Sequence, residues 1–219
     1  MTSPLRTLAY RHRWLYDSVT VISAVAVGGV ERLRDLGADW LAEAIGAGAI
    51  GAGASVLDLC CGGGDAAIAL ASRGFAVTGL DVAPRALEQA ARRAPQLSWI
   101  EGLAEDPPFS AGTFDAVQIS LALHEFTPEE RRAVLVACHR VLKPNGVLVV
   151  VDLHAAKGVM ALPQAVFCHL FETETAQMFL ADNLGDQLEE AGFELVRSEV
   201  LAMGALQRLL ARRQSGGHL

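Results

Sequence analysis

Between residues 55 and 152 the chain alternates between two hydrophobic rhythms. Short apolar runs rich in branched side chains recur at 55–60, 75–80, 97–101, 113–119 and 146–152. Runs of that length and composition predict buried strands. The intervening segments 65–72, 84–93 and 127–142 carry apolar residues at three- and four-residue spacing and predict helices. Pro84 suits a first helical turn. Thr127-Pro-Glu-Glu predicts a capping box, with Thr127 as the N-cap and Glu130 as its reciprocal partner. Lys143-Pro-Asn-Gly predicts the stop of that helix. Residues 155–191 read mostly as helical, and 193–200 and 203–210 as two strands around a turn. Ahead of the alternation, residues 4–45 read as helical, with aromatics at Tyr10, Trp14 and Tyr16 and apolar positions at Leu33, Leu36, Trp40 and Leu41. The connector GAGAIGAGA (46–54) is open to three readings: a linker, a frayed helix end, or the hinge of an N-terminal lid.

Strands that alternate with helices predict a mostly parallel sheet covered on both faces. The last two strands have no helix between them and should form an antiparallel hairpin at one edge, which makes seven strands in all. Open α/β sheets bind ligands beyond the carboxyl ends of their strands, where the strand order reverses. The residues to watch are therefore 60–65, Asp81, 103–105, 120–126 and His154.

Composition narrows the classes. A chain of 219 residues predicts one domain with small additions. A formal charge of −7 lacks the electrostatic footprint of a nucleic-acid binder. Mean hydropathy is high at +0.31, yet the apolar runs 19–30 and 158–171 are too short to span a bilayer, and Pro163 breaks the second. Arg6, Arg11 and Arg13 are followed by no clean apolar core and cleavage site, so no signal peptide is read. A cytoplasmic protein with peripheral membrane contact fits these features. The four cysteines, Cys60, Cys61, Cys138 and Cys168, form no CxxC pair, and neighbours such as Cys60 and Cys61 rarely bridge. They read as small apolar thiols, and no metal site is expected.

The stretch VLDLCCGGGDAAIAL (56–70) carries the chemistry. Glycines after a strand let the chain turn sharply and admit a ligand without meeting Cβ atoms. Gly62-x-Gly64-x-x-Ala67 satisfies a dinucleotide fingerprint, a weak signal by itself. Two acids count against phosphates. Asp58 lies within the strand, where it can meet a cationic amine, and Asp65 puts negative charge at the helix start. Asp81 ends the second strand, where it can accept hydrogen bonds from a ribose diol. A cofactor with a ribose, a positive centre and no phosphates suits this loop better than NAD.

The stretch Asp58-Leu-Cys-Cys-Gly-Gly-Gly resembles motif I of class I S-adenosylmethionine-dependent methyltransferases. TGLDVAP (78–84), AEDPPF (104–109), GTFDAVQISLALHEF (112–126) and RVLKPNGVLVVVD (140–152) are similar to the family's later motifs, in order. The resemblance covers roughly residues 50–211. It implies a Rossmann-like sheet that binds S-adenosylmethionine and releases S-adenosylhomocysteine. It implies cofactor contacts from Asp58, Cys60, Gly62, Gly64, Asp81, Val82, Ala104, Glu105 and Ser120. Tyr16-Asp17, the KPNG turn, Ala191-Gly192-Phe193 and GALQRLLARR are more narrowly similar to the methyltransferases of ubiquinone, menaquinone and phylloquinone synthesis. That implies C-methylation of a prenylated quinol or another small apolar acceptor. The chain departs from the pattern at Leu103, where the family has an acid or amide, and at His124-Glu125 after the fourth strand.

Methyl transfer to a weak nucleophile gains from a general base. His124 is the first candidate and His154 a second candidate base on the same rim; Glu125 reads as a solvated carboxylate that could orient His124 or bond the substrate. His139 and His169 fall within helical patterns and read as structural or exposed. An apolar, Met-containing stretch over 155–180 would cover an apolar substrate or pack as core, and with residues 1–45 would form a lid over a domain spanning 46–219. O- or N-methylation of another metabolite, and cofactor binding without methyl transfer, remain as alternatives. Monomer and homodimer are both open.

Overall fold

The computed structural model of the chain describes residues 28–46, 48, 53–157, 161 and 174–214. In chain order it contains α1 (Val30–Gly46), β1 (Ser55–Leu59), α2 (Asp65–Ser72), β2 (Ala76–Asp81), α3 (Pro84–Arg93), β3 (Ser98–Glu101) and β4 (Phe114–Ser120). A short 3-10 turn at Leu123–Glu125 leads to α4 (Pro128–Val141) and β5 (Leu142–Leu153). Then follow α5 (Glu174–Ala181), α6 (Leu184–Glu190), β6 (Phe193–Leu201), a 3-10 turn at Ala202–Gly204, and β7 (Leu206–Arg213).

The strands form one seven-stranded sheet in the order β3-β2-β1-β4-β5-β7-β6. β1 to β5 pair in parallel. β7 runs antiparallel between β5 and β6, because the tight turn at Ala202–Gly204 can only send the chain back alongside itself. The expected mostly parallel sheet with an antiparallel C-terminal hairpin is the fold observed.

Successive strand side chains point to opposite faces, and both faces are covered, so the central strands read as near-continuous apolar runs. On one face Leu57, Leu59, Val117, Ile119, Leu148 and Val150 pack with Leu135 of α4 and Leu188 of α6. On the other, Val56, Ala116, Val147 and Val149 pack with Leu36, Trp40 and Leu41 of α1 and Leu70 of α2. α1 buries Leu33, Leu36, Trp40, Leu41 and Ala44 at helical spacing. Two guanidiniums lie over the Trp40 ring, Arg208 at 3.9 Å and Arg197 at 4.2 Å from its centre. The capping box forms as its sequence predicts: Glu130 N–H donates to Thr127 Oγ1 at 3.3 Å, and Thr127 N–H donates to Glu130 Oε2 at 2.9 Å.

Two boundaries differ from expectation. Lys143–Gly146 is not a turn ahead of the strand but a bulge within β5, lying between the pairs Phe114↔Leu142 and Ala116↔Val147. Asn145 takes the left-handed conformation there, at φ 62°. The last strand begins at Leu206 rather than 203, because Ala202 and Met203 also adopt positive φ and form the turn. The expectations resting on residues 1–27, on most of the Gly/Ala connector, and on 158–160 and 162–173, including Cys168 and His169, lie outside the described residues. Among the described residues no helix is long and apolar enough to cross a membrane.

Candidate functional site

β1 has β2 on one side and β4 on the other. The strand order therefore reverses between β1 and β4, and a crevice opens there beyond the carboxyl ends of the strands. The loop after β1, the end of β2, the loop after β4 and the end of β5 all border this edge.

The loop after β1 turns through left-handed conformations at Cys60 (φ 62°), Gly62 (φ 50°) and Gly64 (φ 80°). What lies beneath it is the Trp99 ring. A Cβ on Gly64 would meet Trp99 Cη2 at 2.5 Å, and one on Gly79 would meet the same ring at 2.5 Å and Cys61 Sγ at 2.9 Å. Cys61 is therefore a small residue packed against Gly79. At Gly62, by contrast, a Cβ would meet nothing within 4 Å, so the backbone there faces open space. Burial pushes the Cys60 and Cys61 thiols upward, and pushes Cys138 to about 12, so all three stay protonated. Among the described residues no cluster of three or more His, Cys, Asp or Glu side chains could hold a metal ion.

Asp81 closes the loop. Its Oδ2 accepts from Gly62 N–H at 2.8 Å and its Oδ1 from Ala83 N–H at 2.9 Å. A carboxylate keeps further lone pairs for a ligand hydroxyl. Beside it Val82 and Leu103 stand 62% and 56% exposed, an apolar rim that a flat ring could cover. Ala104 is buried, and Glu105 and Ser120 are half-buried. Asp65 does more than open a helix. Arg93 reaches it at 2.5 Å and Arg34 of α1 at 3.1 Å, while Arg93 also donates to the Gly63 carbonyl at 2.8 Å.

Asp58 is 1% exposed, and its Oδ2 has no hydrogen-bond partner among the described residues. Burial pushes its carboxyl up to about 7, with Asp81 and Asp65 adding to the rise and the Ala67 N–H and nearby Gln118 amide opposing it. A buried acid with an unmet oxygen is costly unless a donor arrives.

On the other side of the crevice, His124 is 6% exposed in the 3-10 turn after β4. Its Nδ1 lies 2.5 Å from Asp152 Oδ1. Asp152 is wholly buried at the end of β5, and its Oδ2 accepts from the N–H groups of Ala122 (3.2 Å) and Leu123 (2.7 Å). Oδ1 also accepts from the Leu153 N–H at 2.7 Å. With the carboxylate as acceptor, the imidazole proton sits on Nδ1 and Nε2 is the accepting nitrogen. Glu125 stands 3.9 Å from His124 Nε2. Phe179 of α5 meets the imidazole edge-on at 6.4 Å, and the Arg131 guanidinium lies over Phe179 at 4.9 Å. Arg131 is fully buried. It bonds Gln187 and Asp182, but its Nη1 has no partner among the described residues. His154 is held differently: its Nδ1 lies 2.7 Å from the Gly204 carbonyl, which ties it to the turn before β7. His139 is buried against Phe193 at 5.4 Å, in the core.

The sequence pattern does not single out Asp152, Gln118 or Arg131, whereas Phe179 belongs to the apolar stretch 155–180. Asp152 and Gln118 carried a usable signal: each is a polar residue within an otherwise apolar strand run, the property that drew attention to Asp58. Arg131 follows Pro128-Glu-Glu in an ordinary amphipathic pattern, and nothing marks it as buried.

Comparison with known proteins gives a consistent picture. Residues 56–146 match the family described as "Methyltransferase domain". The chain is 44% identical over 213 residues to the uncharacterized methyltransferase sll0829 of Synechocystis sp., covering 97% of each chain. It is 40% identical over 111 residues to a 2-phytyl-1,4-naphtoquinone methyltransferase of Nostoc sp., covering 47% of this chain and 48% of that one. In fold it resembles the crystal structure of a SAM-dependent methyltransferase from Methanosarcina mazei, with a TM-score of 0.64 at 20% identity, over 78% of this chain and 98% of the other.

Proposed function

The chain belongs to the S-adenosylmethionine-dependent methyltransferases, and from that premise we propose that it methylates a ring carbon of a small apolar quinol, with His124 as general base. The observation that carries this reading is the 2.5 Å contact between His124 Nδ1 and the buried Asp152 carboxylate. A prenylated quinol is favoured because one relative is named a 2-phytyl-1,4-naphtoquinone methyltransferase, although the chain spans about half the length of that protein.

The residues around the loop suit the cofactor. Asp58 Oδ2 lacks a donor that an ammonium group would provide. The Gly62 backbone is open to a close approach. Asp81 is oriented by two backbone N–H groups to receive ribose hydroxyls. In this reading Cys60, Gly62 and Gly64 shape the loop, Val82 and Leu103 flank the adenine, and Ala104, Glu105 and Ser120 border the same pocket. When bound, the cofactor supplies a methyl group on a positively charged sulfur.

His124 then acts on the acceptor. Its Nε2 takes the proton of the quinol hydroxyl, and electron density moves from oxygen into the ring toward the attacking carbon. As that carbon bonds the methyl, the S–CH3 bond breaks; the carbon then sheds its own hydrogen as a proton and the hydroxyl regains one, which restores the aromatic quinol with one proton released overall. Asp152 stabilises the imidazolium that results and fixes the ring's orientation. The near-complete burial of both side chains keeps water from competing and strengthens their interaction. Glu125 borders Nε2 and can orient the hydroxyl. His154, bonded to Gly204, serves the edge of the pocket rather than proton transfer in this reading.

The test is a panel of prenylated and unprenylated demethylquinols and monophenols incubated with methyl-labelled cofactor, with product position read by NMR. Label on a ring carbon of a quinol supports the proposal. Label on oxygen or nitrogen, or on none of the acceptors, contradicts it.

A further inference from the structure

Asp58 of β1 and Gln118 of β4 are direct partners across the parallel pair. Adjacent strands are about 4.8 Å apart, so the two side chains lie side by side on one face of the sheet. Both are buried, Gln118 completely. Three of their polar atoms lack hydrogen bonds among the described residues: Asp58 Oδ2, Gln118 Nε2 and Gln118 Oε1. Native interiors leave only a few such atoms unpaired, usually scattered, and three in adjoining positions point to a ligand that completes the group.

The amide is also held in place. Gly37 of α1 sits directly over it, and a Cβ at residue 37 would lie 2.2 Å from Gln118 Oε1 and 2.7 Å from its carbonyl carbon. Only a glycine lets the helix come this close. The charged and titratable groups around Asp58 are Asp81 of β2, Asp65 of α2, and the protonated thiols of Cys60 and Cys61. Asp65 is in turn neutralised by Arg34 of α1 and Arg93 of α3.

We propose that Gln118, wedged beneath Gly37, is a positioning residue that prepares Asp58 to receive the ammonium group of the cofactor. Its Nε2–H donates to the Asp58 carboxylate when that carboxylate ionises, and its Oε1 offers a second acceptor beside it. The inference rests on the placement of the cofactor amine at Asp58 given above. It adds a residue, and a contact from α1, on which that placement does not depend.

S-adenosylhomocysteine is a suitable probe, because it carries the ammonium but no charged sulfur. Its affinity, measured by calorimetry across pH, should rise toward neutrality as Asp58 loses its proton near 7 and then level off. Gln118→Met is close in volume and removes the amide. It should shift the midpoint of that profile upward and weaken binding about tenfold at neutral pH, with the deficit shrinking at higher pH. The ligand-free protein should melt no lower than the parent, because the substitution removes two unpartnered polar atoms from the interior. Gly37→Ala, which pushes the amide aside, should shift the midpoint in the same direction. If Gln118→Met leaves the profile unmoved, or weakens binding equally at every pH, the proposal fails. Asp58→Asn separates this from the underlying reading: if that variant binds as the parent does, the amine is not at Asp58 and the placement itself is wrong.

Discussion

His124 Nδ1 and Asp152 Oδ1 stand 2.5 Å apart, on the turn after β4 and the end of β5. The other oxygen of Asp152 is occupied by the backbone N–H groups of Ala122 and Leu123. This arrangement predicts a specific outcome for Asp152→Asn. Oδ2 holds two backbone donors and Oδ1 only the Leu153 N–H at 2.7 Å, so the amide oxygen should keep the pair, its NH2 should face His124, and the imidazole proton should move to Nε2. The base is then in the wrong tautomer with its position unchanged. Turnover should fall about 10²- to 10⁴-fold, while affinity for S-adenosylhomocysteine stays within about twofold. Steady-state kinetics together with calorimetry checks both.

Asp58 makes the ligand-free protein sensitive to pH. Its carboxyl is raised from 3.8 to about 7 by burial. Between those values the unfolded chain has lost the proton and the folded protein keeps it. The folded state thus binds more protons, and stability falls as pH rises through this window. Asp58→Asn removes the titration. Its melting temperature should change less between pH 4 and 8 than that of the parent, and at about pH 8 it should be more stable by up to about 4 kcal/mol. Thermal melts at matched ionic strength decide this. A parent whose own stability is flat across the window would contradict it.

The two loop glycines should respond differently to alanine. Both have positive φ, which costs a non-glycine residue roughly 1–2 kcal/mol. At Gly62 the added methyl meets nothing within 4 Å. Gly62→Ala should therefore lose about that much stability and act mainly on cofactor affinity. At Gly64 the methyl would lie 2.5 Å from Trp99 and 3.0 Å from Ala90. Gly64→Ala should lose an additional ~1–3 kcal/mol from overpacking. Denaturant unfolding of both variants measures the contrast.

Much of this was legible in the chain because it depends on local pattern. The strand and helix alternation, the capping box at Thr127 and the hairpin follow from residues within a few positions of one another. Asp81 was recognisable because an acid that ends a strand faces the ligand edge of such a sheet. Asp152 stands out as a lone acid in an apolar run, but its pairing with His124 is not legible, because that depends on register. Ser120 pairs with Val151, and Leu121 N–H bonds the Val151 carbonyl at 2.8 Å, which brings the turn holding His124 onto the end of β5. No spacing rule reports a contact between residues 28 positions apart. Gln118 was missed for the same reason: its relation to Asp58 follows from strand pairing, and its relation to Gly37 from the way α1 lies across the sheet. The bulge at 143–146 was read as a turn because Pro, Asn and Gly mark both.

The role proposed for His124 is removal of the acceptor proton during methyl transfer. Single-turnover transfer of labelled methyl to a saturating demethylquinol, comparing the parent with His124→Ala, tests it most directly. The rate should be at least about 10²-fold lower for the variant, with S-adenosylhomocysteine binding unchanged. Equal rates for the two proteins at saturating acceptor would contradict it.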